Sequence, residues 1–94
     1  MTPEAKVKKK VVNVLKEHGA YYFFPATGGY GRSGVPDIVA CFNSIFIGIE
    51  CKSGSNKPTA LQEAELRKIS AVGGHTLVVN EDNIIDVNNL LETL

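Results

Sequence analysis

Two stretches in the middle of the chain alternate between apolar residues and residues of other kinds with a period of two. They run from Asp37 to Phe42 and from Ile45 to Cys51, and this alternation predicts two β-strands. Asn43 and Ser44 between them are residues that favour turns, so the pattern predicts a hairpin with a two-residue loop. Such a loop fixes the register, because Phe42 must then pair with Ile45.

This register places two carboxylates opposite each other. Asp37 falls across from Glu50, and Lys52, two residues further on, points to the same face of the sheet. Facing carboxylates repel each other in a purely structural strand pair, whereas a divalent cation between them would form a binding site. Gly48 on this face is expected to leave room above the sheet for a ligand. The other face is apolar and carries Ile38, Ala40, Phe42, Ile45, Ile47, Ile49 and Cys51.

A helix is predicted before the hairpin. The residues Thr2-Pro3-Glu4 form a helix start, with a Thr N-cap, Pro in the first turn and an early acidic residue. Apolar residues then recur at helical spacing as far as His18, and Gly19 ends the helix. Glu4 projects with the apolar side of this helix. It is either a first-turn acid that the helix dipole favours or a third carboxylate that reaches the site under the hairpin.

A glycine-rich segment leads into Asp37. Residues 20–24 have the composition of a strand, and Pro25 ends it. The following loop, residues 26–36, contains four glycines, which would let its backbone approach a phosphate closely. Tyr30 and Arg32 in this loop are candidates for contact with nucleic acid. The alternative is a flexible connector with no binding role.

The residue Gln62 lends itself to two interpretations. A loop over residues 53–58 is followed by a predicted helix from Thr59 to about Val72, which Gly73 and Gly74 stop. Thr59 and Gln62 have the spacing of a capping box, which would explain Gln62 structurally. Gln62 also heads a stripe with Leu66 and Ile69, which would place it at the tip of a buried helix face, as Glu4 is on the first helix.

The order of elements predicts the fold class. After the second long helix come a strand over residues 75–80 and a short helix over about residues 87–94, which gives the order α-β-β-β-α-β-α. A strand that follows a crossover helix is expected to pair in parallel with an earlier strand. The sequence therefore predicts one α/β domain over residues 1–94, with a mixed β-sheet flanked by helices.

Charge and composition narrow the choice of partners. With 44% hydrophobic and 21% charged residues and no apolar run of membrane-spanning length, the chain is expected to be a soluble cytoplasmic protein with no membrane partner. Net charge is zero, but residues 1–60 carry +4 and residues 61–94 carry −4. A basic half favours a polyanionic partner, although lysines often only solvate a helix face. Cys41 and Cys51 are interpreted as buried small hydrophobic residues, without a disulfide or zinc.

The residues around the hairpin resemble a known nuclease family. Pro36-Asp37, a spacer and Glu50-Cys51-Lys52 resemble the PD-(D/E)xK nuclease pattern. The Gly-Val-Pro-Asp approach at residues 34–37, with Glu4 and Gln62 on the flanking helices, makes the likeness more specific. Together these residues resemble the virus-type replication-repair nuclease (VRR-NUC) domain, and especially its small stand-alone phage members. The resemblance covers about residues 4–79.

This resemblance implies a restriction-endonuclease-like core and a metal-dependent activity. The expected function is a Mg²⁺- or Mn²⁺-dependent endonuclease that cleaves DNA, with selectivity for branched or junction DNA, acting as a homodimer. The resemblance implies catalytic roles for Asp37, Glu50, Lys52 and Gln62, and metal binding by Asp37, Glu50, the Cys51 backbone carbonyl and Glu4. The charge pattern and the loops add expected DNA contacts by Lys8, Lys9, Tyr30, Arg32 and Lys57. The alternatives are a non-catalytic nucleic-acid-binding module with this fold and a small interaction domain with an incidental motif.

Overall fold

The computed structural model describes residues 1–26 and 31–94, so the predictions for Gly28, Gly29 and Tyr30 lie outside the described residues. The elements are α1 (Pro3–His18), β1 (Tyr21–Phe23), β2 (Ile38–Phe42), β3 (Ile45–Cys51), α2 (Ala60–Ala71), β4 (His75–Val79) and α3 (Ile85–Thr93). Their order is the predicted one, and their bounds differ from the predicted bounds by two residues or fewer. Within the described ranges, none of the helices is both long and apolar enough to cross a membrane.

The hairpin of β2 and β3 has the predicted register. Phe42 pairs with Ile45, and Ile38 pairs with Ile49 at the far end. Asn43 and Ser44 have φ angles of 50° and 69°, and two positive φ angles are the mark of the tight turn that suits twisted strands. The side chain of Asn43 also donates to the backbone oxygen of Leu94 over 2.9 Å. The hairpin is therefore fixed at its turn by both local backbone geometry and the C-terminus.

The sheet has four strands in the order β1-β2-β3-β4. The first three are antiparallel neighbours, and β4 pairs in parallel with β3 after the crossover through α2. This confirms the predicted mixed sheet. β3 is therefore a central strand between β2 and β4, and its C-terminal end, where Glu50 lies, is enclosed on both sides.

One face of the sheet forms the main core. α1 begins with the predicted Thr2 cap and ends at Gly19 with a φ of 75°, and it packs with α3 over this face. The buried apolar side chains come from both helices and from the strands, and they are Val7, Val11, Leu15, Ala20, Ile38, Ala40, Ile47, Ile49, Cys51, Val79, Val87 and Leu91. Burial raises the pKa of the Cys51 thiol to about 12, with the nearby Asp37 carboxylate as the next cause. Cys51 thus behaves as the predicted neutral, buried hydrophobic residue.

The other face differs from the sequence-based expectation in two respects. Gly48 does not leave space for a ligand, because a Cβ there would lie 2.7 Å from Cδ1 of Ile69 and 3.1 Å from Cγ of Pro36. The missing side chain instead allows α2 to pack closely on β3. Cys41, which was predicted to be buried, is exposed. It lies between Tyr21 and Phe46 in the register, on a part of this face that α2 does not cover.

Candidate metal and nucleic-acid site

Asp37 lies immediately before β2 and is held against the end of β3. Its Oδ2 atom accepts a hydrogen bond of 2.9 Å from the backbone N–H of Cys51. The hairpin register continued by one residue from the Ile38–Ile49 pair brings Asp37 to the level of Glu50. The structure thus brings together the two carboxylates that the sequence placed opposite each other.

Glu50 is a fully buried carboxylate that has only part of its hydrogen-bonding capacity satisfied. Its side chain is 0% exposed, and its Oε1 accepts a hydrogen bond of 3.2 Å from Nε2 of Gln62. Its Oε2 atom is also buried and has no partner among residues 1–26 and 31–94. An unpaired buried carboxylate oxygen is costly, and such atoms in native proteins commonly mark a bound ion or water.

The environment of Glu50 strongly favours its protonated form. Desolvation by burial is the main cause that raises its pKa from 4.5 to about 8. The next causes are a hydrogen bond to Asp37, which only the protonated carboxyl can donate, and charge repulsion from Asp37. Lys52 lowers this pKa through its positive charge, whereas Glu4 raises it slightly. The negative charge of Glu50 is therefore unfavourable in its present surroundings.

Gln62 performs both of the roles between which the sequence left a choice. Its Oε1 accepts from the backbone N–H of Thr59 over 2.8 Å, and its own backbone N–H donates to Oγ1 of Thr59 over 3.2 Å. This is the predicted capping box. Because the cap uses the carbonyl end of the Gln62 amide, the NH₂ end is left to donate to Glu50. The helix cap thereby sets the orientation of the group that contacts the site.

Gly34 fixes the start of α2 relative to the loop that enters Asp37. Its φ is 81°, and a Cβ on it would lie 2.6 Å from the carbonyl carbon and oxygen of Leu61 and 3.0 Å from the Gln62 nitrogen. Only glycine allows this approach between two backbones. The loop that presents Asp37 is thus packed directly on the helix end that presents Gln62.

A cleft of about 420 Å³ opens beside Asp37. Its lining combines the first two turns of α1 with the ends of the two central strands and consists of Thr2, Pro3, Glu4, Ala5, Lys8, Asp37, Cys51 and Ser53. Glu4 is therefore a first-turn acid and also a neighbour of the carboxylate pair. Within residues 1–26 and 31–94, no group of three or more His, Cys, Asp or Glu side chains is arranged to hold a metal ion. Direct metal binding by Glu4 stays a prediction.

Lys52 and Lys57 line a second cleft, of about 280 Å³, next to the first. The backbone N–H of Lys52 donates to the Val79 oxygen over 2.9 Å, which holds this residue at the end of β3. Asn80 lies in the same cleft, and its side chain binds the Gly54 oxygen over 3.0 Å, which draws the 53–58 loop towards β4. The positive charge of Lys52 lowers the pKa of Glu50, against the larger effects of burial and Asp37.

The basic residues predicted to contact DNA lie at different distances from the two clefts. Lys8 lines the first cleft, with its ammonium 4.1 Å from the centroid of the Phe24 ring. Lys9 is exposed on α1. Arg32 lies away from both clefts, because it forms an ion pair of 3.3 Å with Glu65 on α2. Lys8, Lys9 and Lys57 thus form a basic border along the two clefts, and Arg32 lies outside this border.

The comparisons with known proteins match almost the whole chain. Residues 4–77 match the family model for the archaeal Holliday junction resolvase (Hjc). The chain belongs to the Hjc family. A curated protein named "Putative nuclease p44", from Acyrthosiphon pisum secondary endosymbiont phage 1, is 32% identical over 87 residues, which span 89% of each protein. This Hjc-family chain is thus similar to a phage protein of nearly the same length.

A solved structure supports the same assignment at the level of the fold. The Hjc-family chain superimposes on a chain described as a VRR_NUC domain with a TM-score of 0.79 and 24% sequence identity, covering 98% of this chain and 97% of the other. These findings confirm the predicted small VRR-NUC-like nuclease domain. They also confirm the predicted α/β architecture with its mixed sheet.

The residues of this Hjc-family site have the chemistry that a Mg²⁺ or Mn²⁺ ion requires. Asp37 and Glu50 offer carboxylate oxygens, and Oε2 of Glu50 has its full hydrogen-bonding capacity free among the described residues. Mg²⁺ usually takes one or two carboxylates and keeps several waters, so two protein carboxylates are sufficient. The raised pKa of Glu50 is the expected property of a carboxylate whose counter-charge arrives with a ligand.

Two residues at the borders of the site in this Hjc-family chain, Glu65 and Phe24, were not predicted from the sequence. Glu65 is buried on α2 and binds both Arg32 and Lys68. Its position, three residues after Gln62 and one before Leu66, put it on the buried stripe and would have indicated burial. Phe24 was interpreted only as part of a strand, and its contact with Lys8 joins two segments that are distant in sequence. No local signal could have revealed that contact.

Proposed function

We propose that this chain is a Mg²⁺- or Mn²⁺-dependent endonuclease that hydrolyses DNA phosphodiester bonds, with selectivity for branched or junction DNA. The observation that carries this proposal is the paired Asp37 and Glu50 carboxylates, with one Glu50 oxygen buried and unpaired. A structural strand pair gains nothing from such an arrangement, whereas a cation site requires it. The names of its relatives, a Holliday junction resolvase family and a phage nuclease, agree with this chemistry.

Asp37 and Glu50 are the proposed metal ligands, with the Cys51 carbonyl and Glu4 as additional candidates. A bound ion would lower the pKa of a water molecule attached to it and would neutralise negative charge on the scissile phosphate. The protein holds this site ready through two hydrogen bonds. Cys51 N–H fixes Asp37, and Gln62 fixes Oε1 of Glu50, so that Oε2 is the free oxygen. Gln62 thus acts by positioning a ligand.

Lys52 is the proposed catalytic lysine. It enters from the neighbouring cleft and brings a positive charge towards the carboxylates. An ammonium in this position can orient the attacking water by hydrogen bonding and stabilise the extra negative charge that develops on the phosphate in the transition state. Because the Lys52 backbone is part of the sheet through its bond to Val79, the side chain starts from a rigid position.

DNA is proposed to cross the two clefts along their basic border. Lys8 lines one cleft and Lys57 the other, with Lys9 exposed on the outer side of α1. Each lysine that contacts a phosphate should contribute affinity that decreases with salt. Arg32 and Tyr30 are the remaining proposed contacts, and Arg32 would have to leave Glu65 or bind DNA beside it.

The protein is also proposed to act as a homodimer. Support comes from an apolar groove of about 620 Å³, which lies on the sheet face that α2 leaves partly uncovered. Phe23, Phe46 and Val72 around this groove are 48%, 47% and 86% exposed, and exposed apolar patches of this kind often mark interfaces. A two-fold pair would present two sites and could cut two strands. Light scattering tests this, and Phe46→Asp is expected to give a monomer.

The decisive experiment for the function is cleavage of labelled duplex, flap, splayed-arm and four-way-junction DNA with Mg²⁺ or Mn²⁺. The wild-type chain should cut branched DNA in a metal-dependent manner, and Lys52→Ala should abolish cleavage while DNA binding persists. Lys57→Ala is the matched control, because Lys57 lines the same cleft but is assigned to phosphate binding. A wild-type rate in Lys52→Ala would remove the catalytic assignment. DNA binding by the wild type without any cleavage would favour a non-catalytic binding module.

A metal titration tests the ligand set independently of activity. The metal-free wild type should gain thermal stability with Mg²⁺ or Mn²⁺, as any ligand of the folded state produces. Asp37→Asn should lose this gain. At pH 9, where Glu50 is ionised as well, the substitution removes one of two repelling charges and the variant should therefore melt slightly above the metal-free wild type. If Asp37→Asn responded to the metal like the wild type, the ion would have to bind elsewhere.

A further inference from the structure

Phe24 lies at the end of the sheet where Asp37 enters it. In the register of β1 and β2, Phe23 pairs with Val39. Continuing this register by one residue brings Phe24 to the level of Ile38, the residue after Asp37. Phe24 follows the last residue of β1, and its side chain is 50% exposed although it is large and apolar. An aromatic ring is thus displayed at the end of the sheet where Asp37 lies, on the face of Ile38 that α1 covers.

The ring of Phe24 is connected to the cleft through Lys8. The Lys8 ammonium lies 4.1 Å from the ring centroid, within the range of a cation–π interaction, and Lys8 also lines the cleft beside Asp37. Tyr22 supports the ring from the strand, with 6.0 Å between the two centroids and an angle of 51° between the rings. The ring therefore has a defined place, and the positive charge over it belongs to a residue that lines the cleft.

We propose that Phe24 and Lys8 form a nucleobase site, in which an unpaired base next to the scissile phosphate stacks on Phe24 while Lys8 contacts the adjoining phosphate. This inference rests on the proposed function and specifies its substrate class. Aromatic rings beside basic groups are the common means of holding single-stranded nucleic acid without reading its sequence. The bases of a continuous duplex have both faces covered by their neighbours, so only a base released at a branch or fork can use this ring.

The site also gives a physical origin for selectivity between DNA structures. Phosphate contacts by the lysines are available to every DNA, paired or unpaired. Stacking on Phe24 adds affinity only for substrates with a displaced base close to the cleavage position. Branched DNA is then distinguished from duplex by one aromatic contact beside the metal site.

The test is a binding measurement with splayed-arm DNA and fully paired duplex of the same sequence, in Ca²⁺ to prevent cleavage. The splayed-arm DNA carries 2-aminopurine at the fork, whose fluorescence reports stacking. Phe24→Ala should weaken binding of splayed-arm DNA about tenfold and leave duplex affinity within about twofold, since stacking on an aromatic ring contributes about this much per base. Phe24→Trp should retain both the affinity and the quenched fluorescence.

Tyr21→Ala is the matched control, because Tyr21 is an exposed aromatic residue of the same strand (70%) and, through its pairing with Cys41, lies on the face opposite to Phe24. It should bind both DNAs like the wild type. Phe24→Leu keeps an apolar side chain for folding and should behave like Phe24→Ala. The proposal is overturned if Phe24→Ala and Phe24→Leu keep the wild-type preference, or lose affinity equally for both DNAs. A wild type that fails to cleave branched DNA would instead refute the proposed function.

Discussion

The two buried glutamates of this chain, Glu50 and Glu65, differ in whether the protein supplies a counter-charge for the carboxylate. Both side chains are almost inaccessible, at 0% for Glu50 and 7% for Glu65. Glu65 has two cations, with Lys68 at 3.0 Å and Arg32 at 3.3 Å. Its pKa is lowered, first by the hydrogen bond from Lys68 and then by the charge of Arg32 against the effect of burial. The pKa of Glu50 rises to about 8, because burial and Asp37 outweigh Lys52.

This difference separates a structural carboxylate, Glu65, from the proposed metal ligand, Glu50. Glu65 has its counter-charges within the protein and is stable in the charged form at neutral pH. Glu50 has an amide donor on one oxygen and nothing in the described chain on the other. A buried charge without a partner is maintained in a protein where function requires it. The lesson is that the missing partner of Glu50 marks the site more clearly than any of the contacts that are present.

The largest expected effect comes from removing the charge of Glu50. Glu50→Gln should raise the free energy of unfolding of the metal-free protein at pH 9 by roughly 3 kcal/mol, because the folded state no longer holds an ionised carboxylate there. The new amide can also donate to Asp37. Chemical denaturation at pH 9 without metal measures this effect, and the variant should not respond to Mg²⁺. A loss of stability would show that Glu50 is ionised favourably and would remove the contrast with Glu65.

A nearly equal effect is expected in the pH dependence of the wild type. Since the pKa of Glu50 is about 8 in the folded chain and 4.5 otherwise, the folded state binds the extra proton between these values. The contribution of this group to metal-free stability should therefore be complete below about pH 4.5, decrease as pH rises to about 8, and then level off. Because the metal requires the ionised form, Mg²⁺ affinity should rise by up to tenfold per pH unit below 8. Titration calorimetry at pH 6 and 8 tests this, and equal affinities would contradict it.

A smaller effect is expected at Gly34, which packs against the start of α2, the helix that carries Glu65 and whose Gln62 contacts Glu50. A side chain there would push against the backbone of Leu61 and displace Gln62 from Glu50. Gly34→Ala should lower the free energy of unfolding by roughly 2 kcal/mol more than Gly19→Ala does. Gly19 is the matched control, because its φ of 75° is close to the 81° of Gly34 and a Cβ on it would meet nothing within 4 Å. Equal losses in the two variants would mean that only backbone strain matters.

The smallest effect is expected from the charge of Glu65. Glu65→Gln should lower Tm modestly, because Arg32 is 75% exposed and Lys68 69% exposed, so both lose only a partly solvated ion pair. The pKa of Glu65 is lower in the folded state than in the unfolded state, so its ionised form stabilises the fold at pH values above the unfolded-state pKa. This stabilisation is lost as pH falls through the folded-state pKa, and the difference in Tm between variant and wild type should then vanish. Thermal melts at pH 7 and pH 3 compare the two states. Stabilisation by this substitution would contradict its structural role.

The hairpin and its carboxylate pair could be predicted because they depend on neighbouring residues. A two-residue turn at Asn43 and Ser44 fixes the pairing of every residue up to Ile38 and Ile49. The alternation of side chains then determines which residues share a face. The caps at Thr2 and Thr59 are equally local, and both are present as predicted.

The surroundings of the pair could not be predicted because they depend on how distant elements pack. Gly48 was interpreted as space for a ligand, but Ile69 fills that space, because α2 covers this part of the sheet. Cys41 looked like a core residue from its strand, yet α2 stops short of it and leaves it exposed. Arg32 was expected near the cleft, and only the position of Glu65 on α2 explains why it lies elsewhere.

The packing of α2 over the hairpin, which brings Gln62 to Glu50, has a consequence for the folding and unfolding rates. Asp37 and Glu50 belong to one hairpin, so they come together after closing a short loop, at small entropic cost. Their repulsion becomes severe only when α2 packs down, brings Gln62 to Glu50 and excludes water. If the hairpin forms before α2 docks, the transition state still has hydrated carboxylates, and the unfavourable charge is confined to the native state. We then expect Mg²⁺ to slow unfolding strongly and to change the folding rate little, because the ion would stabilise the native state and not the transition state.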